Sequence, residues 1–139
     1  MRRAVFDASA LVKLVVPESG SPDAVRAYAM CDDQLAPEWA LLECAHALWR
    51  KWMRLEYDAA TIREAHVALR SIGLRLLDTD SLAGSALELA LAHRHSVYDC
   101  AYLALALAEE AGLVTADTKL RDLARDLGID VTWIGPGDP

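Results

Sequence analysis

Short apolar runs along the chain alternate with longer stretches in which apolar residues recur every three or four positions. The short runs predict strands and the periodic stretches predict amphipathic helices, and Pro or Gly marks most of their ends. The predicted strands are Arg3–Phe6, Gln34–Ala36, Leu74–Leu77, Leu113–Thr115 and Val131–Ile134. The predicted helices are Ala8–Val15, Pro22–Met30 (with Ser21 as N-cap), Pro37–Leu55, Ala59–Ser71, Ser81–His93, Val97–Glu110 and Thr118–Leu127.

This alternation of strands and helices predicts an α/β fold with a largely parallel sheet that is covered on both faces. A chain of 139 residues suits one domain with one core, and we expect residues 1–139 to form it. Ligands of such sheets bind beyond the carboxyl ends of the strands. Two acids stand there, because Asp7 follows the first strand and Asp117 follows the strand Leu113–Thr115.

The charge balance narrows the class of protein. The chain has 14 Lys and Arg residues against 21 Asp and Glu residues, which gives a formal net charge of −7. This balance excludes a generally basic, DNA-coating protein but is compatible with a local basic patch.

The longest uninterrupted apolar run, Cys100–Ala108, is too short to span a bilayer, and Asp7 interrupts the N-terminus before a signal-peptide core. We therefore expect a cytoplasmic protein that does not act at a membrane.

Asp7 and Asp117 have two possible roles. Each stands between a predicted strand and a predicted helix, where an aspartate commonly caps the helix N-terminus. If their strands are neighbours in a parallel sheet, the two carboxylates also share one edge of that sheet. A capping carboxylate can at the same time be a ligand, so both interpretations stay open.

Glu43 and Asp99 lie in apolar helices, where a buried acid is expected to be paired or functional. The alternative for Glu43 is a position at the helix rim, paired with His46 or Lys51. The alternative for Asp99 is a capping box, because Ser96-x-x-Asp99 matches that pattern.

Converging carboxylates repel one another, and a hard divalent cation relieves the repulsion. Oxygen ligands without a His and Cys set favour Mg²⁺ or Mn²⁺ over zinc, and such ions suit chemistry on phosphate esters.

Four segments of the chain together resemble the PIN domain, in particular the VapC-type toxin ribonucleases of toxin–antitoxin pairs. These segments are Val5–Leu11, Leu42–Glu43, Val97–Ala106 and Leu113–Asp117. The resemblance extends over essentially the whole chain. It implies a three-layer α/β/α domain with a short, mostly parallel central sheet. It also implies a Mg²⁺- or Mn²⁺-dependent endoribonuclease that hydrolyses RNA phosphodiester bonds as the toxin of a type II toxin–antitoxin system.

The resemblance also implies site residues and partners. The residues that match the catalytic, metal-binding acids are Asp7, Glu43, Asp99 and Asp117. Ser9 and Thr115 match small hydroxyl positions beside the first and last acids, where they would orient a carboxylate, a water or the phosphate. Four acids suit either one ion or two. The implied partners are an RNA substrate, a second copy of the chain, and an antitoxin whose C-terminal segment covers the active-site groove.

Because the chain is acidic, local cations must hold the RNA. The candidates are Lys13, Arg50, Lys51, Arg54, Lys119 and Arg121, with a solvated surface role as the alternative for each.

Two other functions stay open: a PIN nuclease of RNA maturation or decay, and a catalytically idle PIN scaffold that binds proteins. A HAD-like phosphatase is disfavoured because Ser9 stands where its second Asp belongs. A receiver domain is disfavoured because Asp117 stands where its Lys belongs.

Overall fold

The computed structural model describes residues 2–137, which form a five-stranded sheet with helices packed on it. The strands are β1 (Arg3–Phe6), β2 (Asp33–Pro37), β3 (Arg75–Leu77), β4 (Gly112–Thr115) and β5 (Val131–Trp133). The helices are α1 (Ala8–Val15), α2 (Ser21–Met30), α3 (Ala40–Met53), α4 (Ala59–Leu69), α5 (Ala83–His93), α6 (Val97–Ala108) and α7 (Thr118–Asp126). A short 3₁₀ turn, Asp80–Leu82, precedes α5.

The strand order is β3-β2-β1-β4-β5, so β1 lies at the centre of the sheet. In register, Val5 pairs with Leu35 of β2 and with Leu113 of β4, and all three side chains are fully buried. Every strand pairing among the described residues is parallel. Parallel strands covered on both faces are apolar throughout, which is why short apolar runs identified them. The predicted α/β fold with a parallel sheet is confirmed.

The helices complete a three-layer α/β/α arrangement, as the resemblance implies. Helix α6 packs across β1, β2 and β4 and against α5. Its residues from Cys100 to Ala106 are all buried, which explains why the sequence is apolar on every side of this helix. Helix α1 packs against α2, α3 and α4. No described helix has both the length and the apolar character needed to cross a membrane.

The start of α3 differs from the prediction. The chain stays extended through Pro37, which pairs with Leu77 of β3, and the helix begins at Ala40. The extended form is held by the pairing with β3, which continues past Pro37 because Glu38 N donates a hydrogen bond of 2.9 Å to Leu77 O. The apolar periodicity therefore predicted a helix that begins at Pro37, although Pro37 is the last residue of β2.

The predicted N-cap of α2 is wrong, and the reason matters for the site. Gly20, with a left-handed φ of +89°, occupies the cap position, and Ser21 is the first helical residue. The Ser21 hydroxyl instead accepts a hydrogen bond of 3.0 Å from Glu18 N and donates one of 3.0 Å to Val16 O. These two bonds fix the short loop between α1 and α2, which carries Glu18.

Candidate active site

A cavity of about 610 Å³ opens at the carboxyl ends of β1 and β4. Four acids line it together, and each comes from a different part of the chain. Asp7 follows β1 and caps α1, Glu43 lies in α3, Asp99 lies in the first turn of α6, and Asp117 follows β4 and caps α7. The structure thus brings all four sequence-predicted acids to one place.

The Asp7 carboxylate is buried, with 4% of the residue exposed, and is fixed through both of its oxygens. Oδ1 accepts hydrogen bonds from Ser9 Oγ at 2.7 Å and from the backbone N of Ala10 at 3.0 Å. Oδ2 accepts a hydrogen bond from Thr115 Oγ1 at 2.5 Å. Burial raises the pKa of Asp7 from its ordinary value of 3.8 to about 6, although these hydrogen bonds oppose the rise. The negative charge of Asp117 raises the pKa further.

Ser9 and Thr115 join the two strand ends to each other. The backbone N of Ala116 donates to Ser9 Oγ at 3.0 Å, and the backbone N of Asp117 donates to Thr115 Oγ1 at 3.0 Å. Each hydroxyl therefore accepts from the segment after β4 while it donates to Asp7. A residue without a hydroxyl at either position would leave part of this network unsatisfied.

Glu43 is partly buried and has a partner that differs from both sequence-predicted alternatives. Its Oε1 accepts a hydrogen bond of 2.9 Å from the hydroxyl of Tyr102 in α6. Burial raises the pKa of Glu43, and the negative charge of Asp99 adds to the rise. Tyr102 is 1% exposed, and the sequence alone predicts that it packs in the core. Its place in the apolar α6, three residues after Asp99, is the one sequence signal that could have linked it to the site.

Asp99 has two neighbours in the turn that leads into α6. Its backbone N donates a hydrogen bond of 3.1 Å to Ser96 Oγ, so Ser96 caps the helix as the capping alternative requires. Its Oδ2 lies 3.3 Å from His95 Nδ1. Burial raises the pKa of Asp99, and the charge of Asp117 raises it further. His95 shows no partner in sequence, and its Nε2 is buried without a hydrogen-bond partner among the described residues.

Asp117 caps α7 while it lines the cavity. Its Oδ1 accepts hydrogen bonds from the backbone N atoms of Lys119 at 2.9 Å and Leu120 at 3.1 Å. Asp7 does the same for α1 through Ala10 N. The capping interpretation and the site interpretation therefore hold together for both aspartates, because each helix begins where its strand ends.

The sequence-predicted cations divide into two groups. Lys13, Arg50, Lys51 and Arg54 line the same cavity as the acids. Lys119 and Arg121 are not among its lining residues, although α7 begins at the cavity. The guanidinium of Arg121 lies 4.5 Å from the centre of the Trp133 ring and contacts Asp122 Oδ1 at 2.9 Å. The cavity therefore has an acidic end and a basic wall built by α1 and α3.

The family model described as the PIN domain matches residues 4–126 of this chain. The chain belongs to the PIN-domain family. Over 120 residues this PIN domain is 33% identical to the protein named Ribonuclease VapC3 from Pyrobaculum aerophilum, a match that covers 85% of the chain and 92% of that relative.

Solved structures share the fold of this PIN domain. The crystal structure of PAE2754 from Pyrobaculum aerophilum matches with a TM-score of 0.72 and 21% identity, over 94% of this chain and 83% of that one. A chain of a toxin–antitoxin complex from Klebsiella pneumoniae matches with a TM-score of 0.63 and 17% identity, over 84% of this chain and 88% of that one.

The acidic end of this PIN domain has the donor chemistry of a hard-cation site without a closed cage. Among residues 2–137, no group of three or more His, Cys, Asp and Glu side chains is placed to hold a metal ion. The four acids nevertheless supply only oxygen donors, as Mg²⁺ and Mn²⁺ prefer. Burial and like charge raise the pKa of Asp7, Glu43 and Asp99, and a bound cation would reverse that effect. The residues present therefore fit such an ion in chemistry.

Proposed function

We propose that this chain is a Mg²⁺- or Mn²⁺-dependent endoribonuclease and the toxin of a toxin–antitoxin pair. The observation that carries this proposal is that four acids from four separate elements line one cavity together with four cations. The ribonuclease name of the curated relative supports the choice of RNA as substrate. The toxin–antitoxin complex among the structural neighbours supports the pairing with an antitoxin.

In this proposal Asp7, Glu43, Asp99 and Asp117 hold one or two divalent ions. Ser9 and Thr115 keep the Asp7 carboxylate in place through the hydrogen bonds described above. Tyr102 does the same for Glu43. An ion held by these residues would supply an activated water for in-line attack and positive charge against the phosphoryl oxygens.

The remaining steps belong to side chains of the chain itself. Lys13, Arg50, Lys51 and Arg54 attract and position the phosphate backbone, so an acidic protein can hold a polyanion. Lys119 at the start of α7 is exposed and its backbone N bonds to Asp117 Oδ1, which supports a contact with RNA just outside the cavity. Arg121 is engaged by Trp133 and Asp122, and we assign it no part in RNA binding.

The partners follow from the same proposal. The RNA enters the cavity from the basic wall, and the antitoxin inhibits the toxin by covering the cavity. We further propose that the chain acts as a homodimer in the cytoplasm. Large apolar side chains exposed on α3, among them Trp49 at 48% and Met53 at 56%, are available for such contacts.

Cleavage of a complex RNA pool tests this proposal without knowledge of the target. Wild-type protein and Asp99→Asn would be incubated with total bacterial RNA in Mn²⁺ or in EDTA, and new ends would be mapped by sequencing. We expect wild type to cut at defined sites in Mn²⁺ and not in EDTA, and Asp99→Asn to cut at neither condition. Asp126→Asn, which removes an exposed charge on α7, is the matched control and should cut like wild type.

Two results would contradict the proposal. Equal cleavage in EDTA and in Mn²⁺ would rule out the role given to the carboxylates. Folded wild-type protein that binds Mn²⁺ but yields no new ends would favour the idle scaffold instead.

A further inference from the structure

Glu18 lies between two lysines on the basic wall of the cavity. Its Oε1 is 3.1 Å from Lys13 Nζ of α1, and its Oε2 pairs with Lys51 Nζ of α3. The three side chains are largely buried, with exposed fractions of 14% for Lys13, 17% for Lys51 and 21% for Glu18. Burial alone would raise the pKa of Glu18, but the two lysines hold it below its ordinary value. The carboxylate is therefore an anion clamped by two ammonium groups.

The backbone around Glu18 is fixed from both sides. Ser21 Oγ accepts from Glu18 N at 3.0 Å and donates to Val16 O at 3.0 Å. The hydroxyl of Tyr57 donates a hydrogen bond to Pro17 O. The loop thus holds the Glu18 backbone beside the cavity, whereas the contacts with Lys13 and Lys51 are made by the Glu18 side chain alone.

The two lysines bind one anion through two separate oxygens. A phosphodiester has the same feature, since two non-bridging oxygens share its negative charge. A carboxylate and a phosphodiester carry the same formal charge, so one can replace the other between the ammonium groups. Arg50 and Arg54 line the same cavity, and neither forms an ion pair with another described residue. Arg54 thus adds unpaired positive charge to the basic wall, and the charge of Arg50 opposes the rise in the pKa of Glu43.

We propose that Lys13 and Lys51 form a binding site for one phosphodiester of the RNA, and that Glu18 occupies this site in the free protein. RNA binding displaces the Glu18 side chain, and a backbone phosphate takes its place. Glu18 thereby lowers the affinity for any RNA that does not also engage the rest of the cavity. This inference rests on the proposed function for the identity of the ligand.

Binding of RNA in EDTA tests the inference without cleavage. A fluorescein-labelled oligouridylate would be titrated with wild type, Glu18→Gln and Glu88→Gln, and followed by fluorescence anisotropy at several salt concentrations. Glu88 is an exposed glutamate on α5 outside the cavity lining, so its variant controls for the loss of one negative charge. We expect Glu18→Gln to bind about fivefold more tightly than Glu88→Gln, the effect of one freed charge contact. The plot of log K against log salt concentration should be steeper by about 0.7 for Glu18→Gln than for Glu88→Gln.

Lys51→Gln tests the proposed phosphate site from the side of the lysines. Lys51→Gln should bind more weakly than wild type, and the double variant with Glu18→Gln should lose the gain of the single change. Melting temperatures in the same buffer check that each variant is folded. Affinity of Glu18→Gln equal to or below that of Glu88→Gln would overturn the inference and make Glu18 a residue that holds the lysines in place.

The RNA affinities measured in EDTA do not depend on catalysis. A protein that fails to cleave RNA in Mn²⁺ overturns the proposed function, whereas the anisotropy in EDTA still reports on the phosphate site. Inorganic phosphate distinguishes a site for free phosphate from one for RNA. If phosphate raises the melting temperature of Glu18→Gln but RNA affinity is unchanged, the ligand is a free phosphate and the assignment to RNA is wrong.

Discussion

Replacement of Asp7 by asparagine removes a buried negative charge and keeps the size of the side chain. The free energy cost of that charge follows from the pKa of Asp7, which burial raises from 3.8 to about 6. At about 1.4 kcal/mol for each tenfold change in proton affinity, the ionised carboxylate destabilises the metal-free fold by about 3 kcal/mol. Asparagine retains the helix cap through its own oxygen but gives up part of the bonding to Thr115.

The sign of the pH dependence is fixed by the direction of the pKa change. Below about pH 3.8 Asp7 is protonated in both folded and unfolded chains, so its charge has no effect on stability. Between pH 3.8 and about pH 6 the unfolded chain releases the proton first, and wild type loses stability relative to Asp7→Asn. Above about pH 6 Asp7 is ionised in both the folded and the unfolded chain, and the stability difference between wild type and Asp7→Asn has its full size.

Urea unfolding in EDTA measures this difference directly, with tryptophan fluorescence as the signal. The free energy of unfolding of Asp7→Asn minus that of wild type should rise by about 3 kcal/mol from pH 3.5 to pH 7.5. Taking the difference cancels the titration of the groups that do not interact with Asp7. Asp126→Asn serves as the control for an exposed aspartate. A difference that stays constant over this range, or one that falls, would refute the account of Asp7 as a carboxylate held at a cost by the fold.

Three further changes test other parts of the site and its frame. Thr115→Val removes the hydroxyl donor of the buried carboxylate, and should lower the free energy of unfolding at pH 8 by about 2 kcal/mol in urea melts. Tyr102→Phe removes the hydroxyl that fixes Glu43, and should raise the calorimetric Kd for Mn²⁺ about tenfold while the fold stays intact. Gly20→Ala places a Cβ 2.5 Å from Ile134 O at φ +89°, and should destabilise the chain by more than about 1 kcal/mol in the same urea assay. Unchanged values in any of the three would contradict the contact concerned.

The part of the site that depends on topology was accessible from the sequence. Asp7 and Asp117 follow apolar runs, and in a parallel sheet the ends of such runs meet at one edge. Asp99 stood out because the helix after it is apolar on every side. These signals are local, and the fold converts them into proximity without further information.

The contacts between distant helices were not accessible in this way. Glu18 reaches Lys51 because the loop before α2 passes beside α3, and no periodicity records that path. Tyr102 serves both as core packing and as the donor to Glu43, and its apolar surroundings indicated only the first role. Ser21 has the composition of an N-cap, but the left-handed Gly20 takes that position and frees the Ser21 hydroxyl for the loop. In each case a three-dimensional neighbour decides the role.

Calorimetric titration of Mn²⁺ into wild type and Asp99→Asn tests the central claim, which is that the four carboxylates form a cation site. We expect wild type to bind Mn²⁺, and Asp99→Asn to bind it much more weakly while it melts at a higher temperature in EDTA. Relief of like-charge repulsion explains the higher melting temperature. If neither protein binds Mn²⁺ and Asp99→Asn melts at a lower temperature, Asp99 is a structural residue of the α6 N-terminus and the metal-dependent reaction is wrong for this chain.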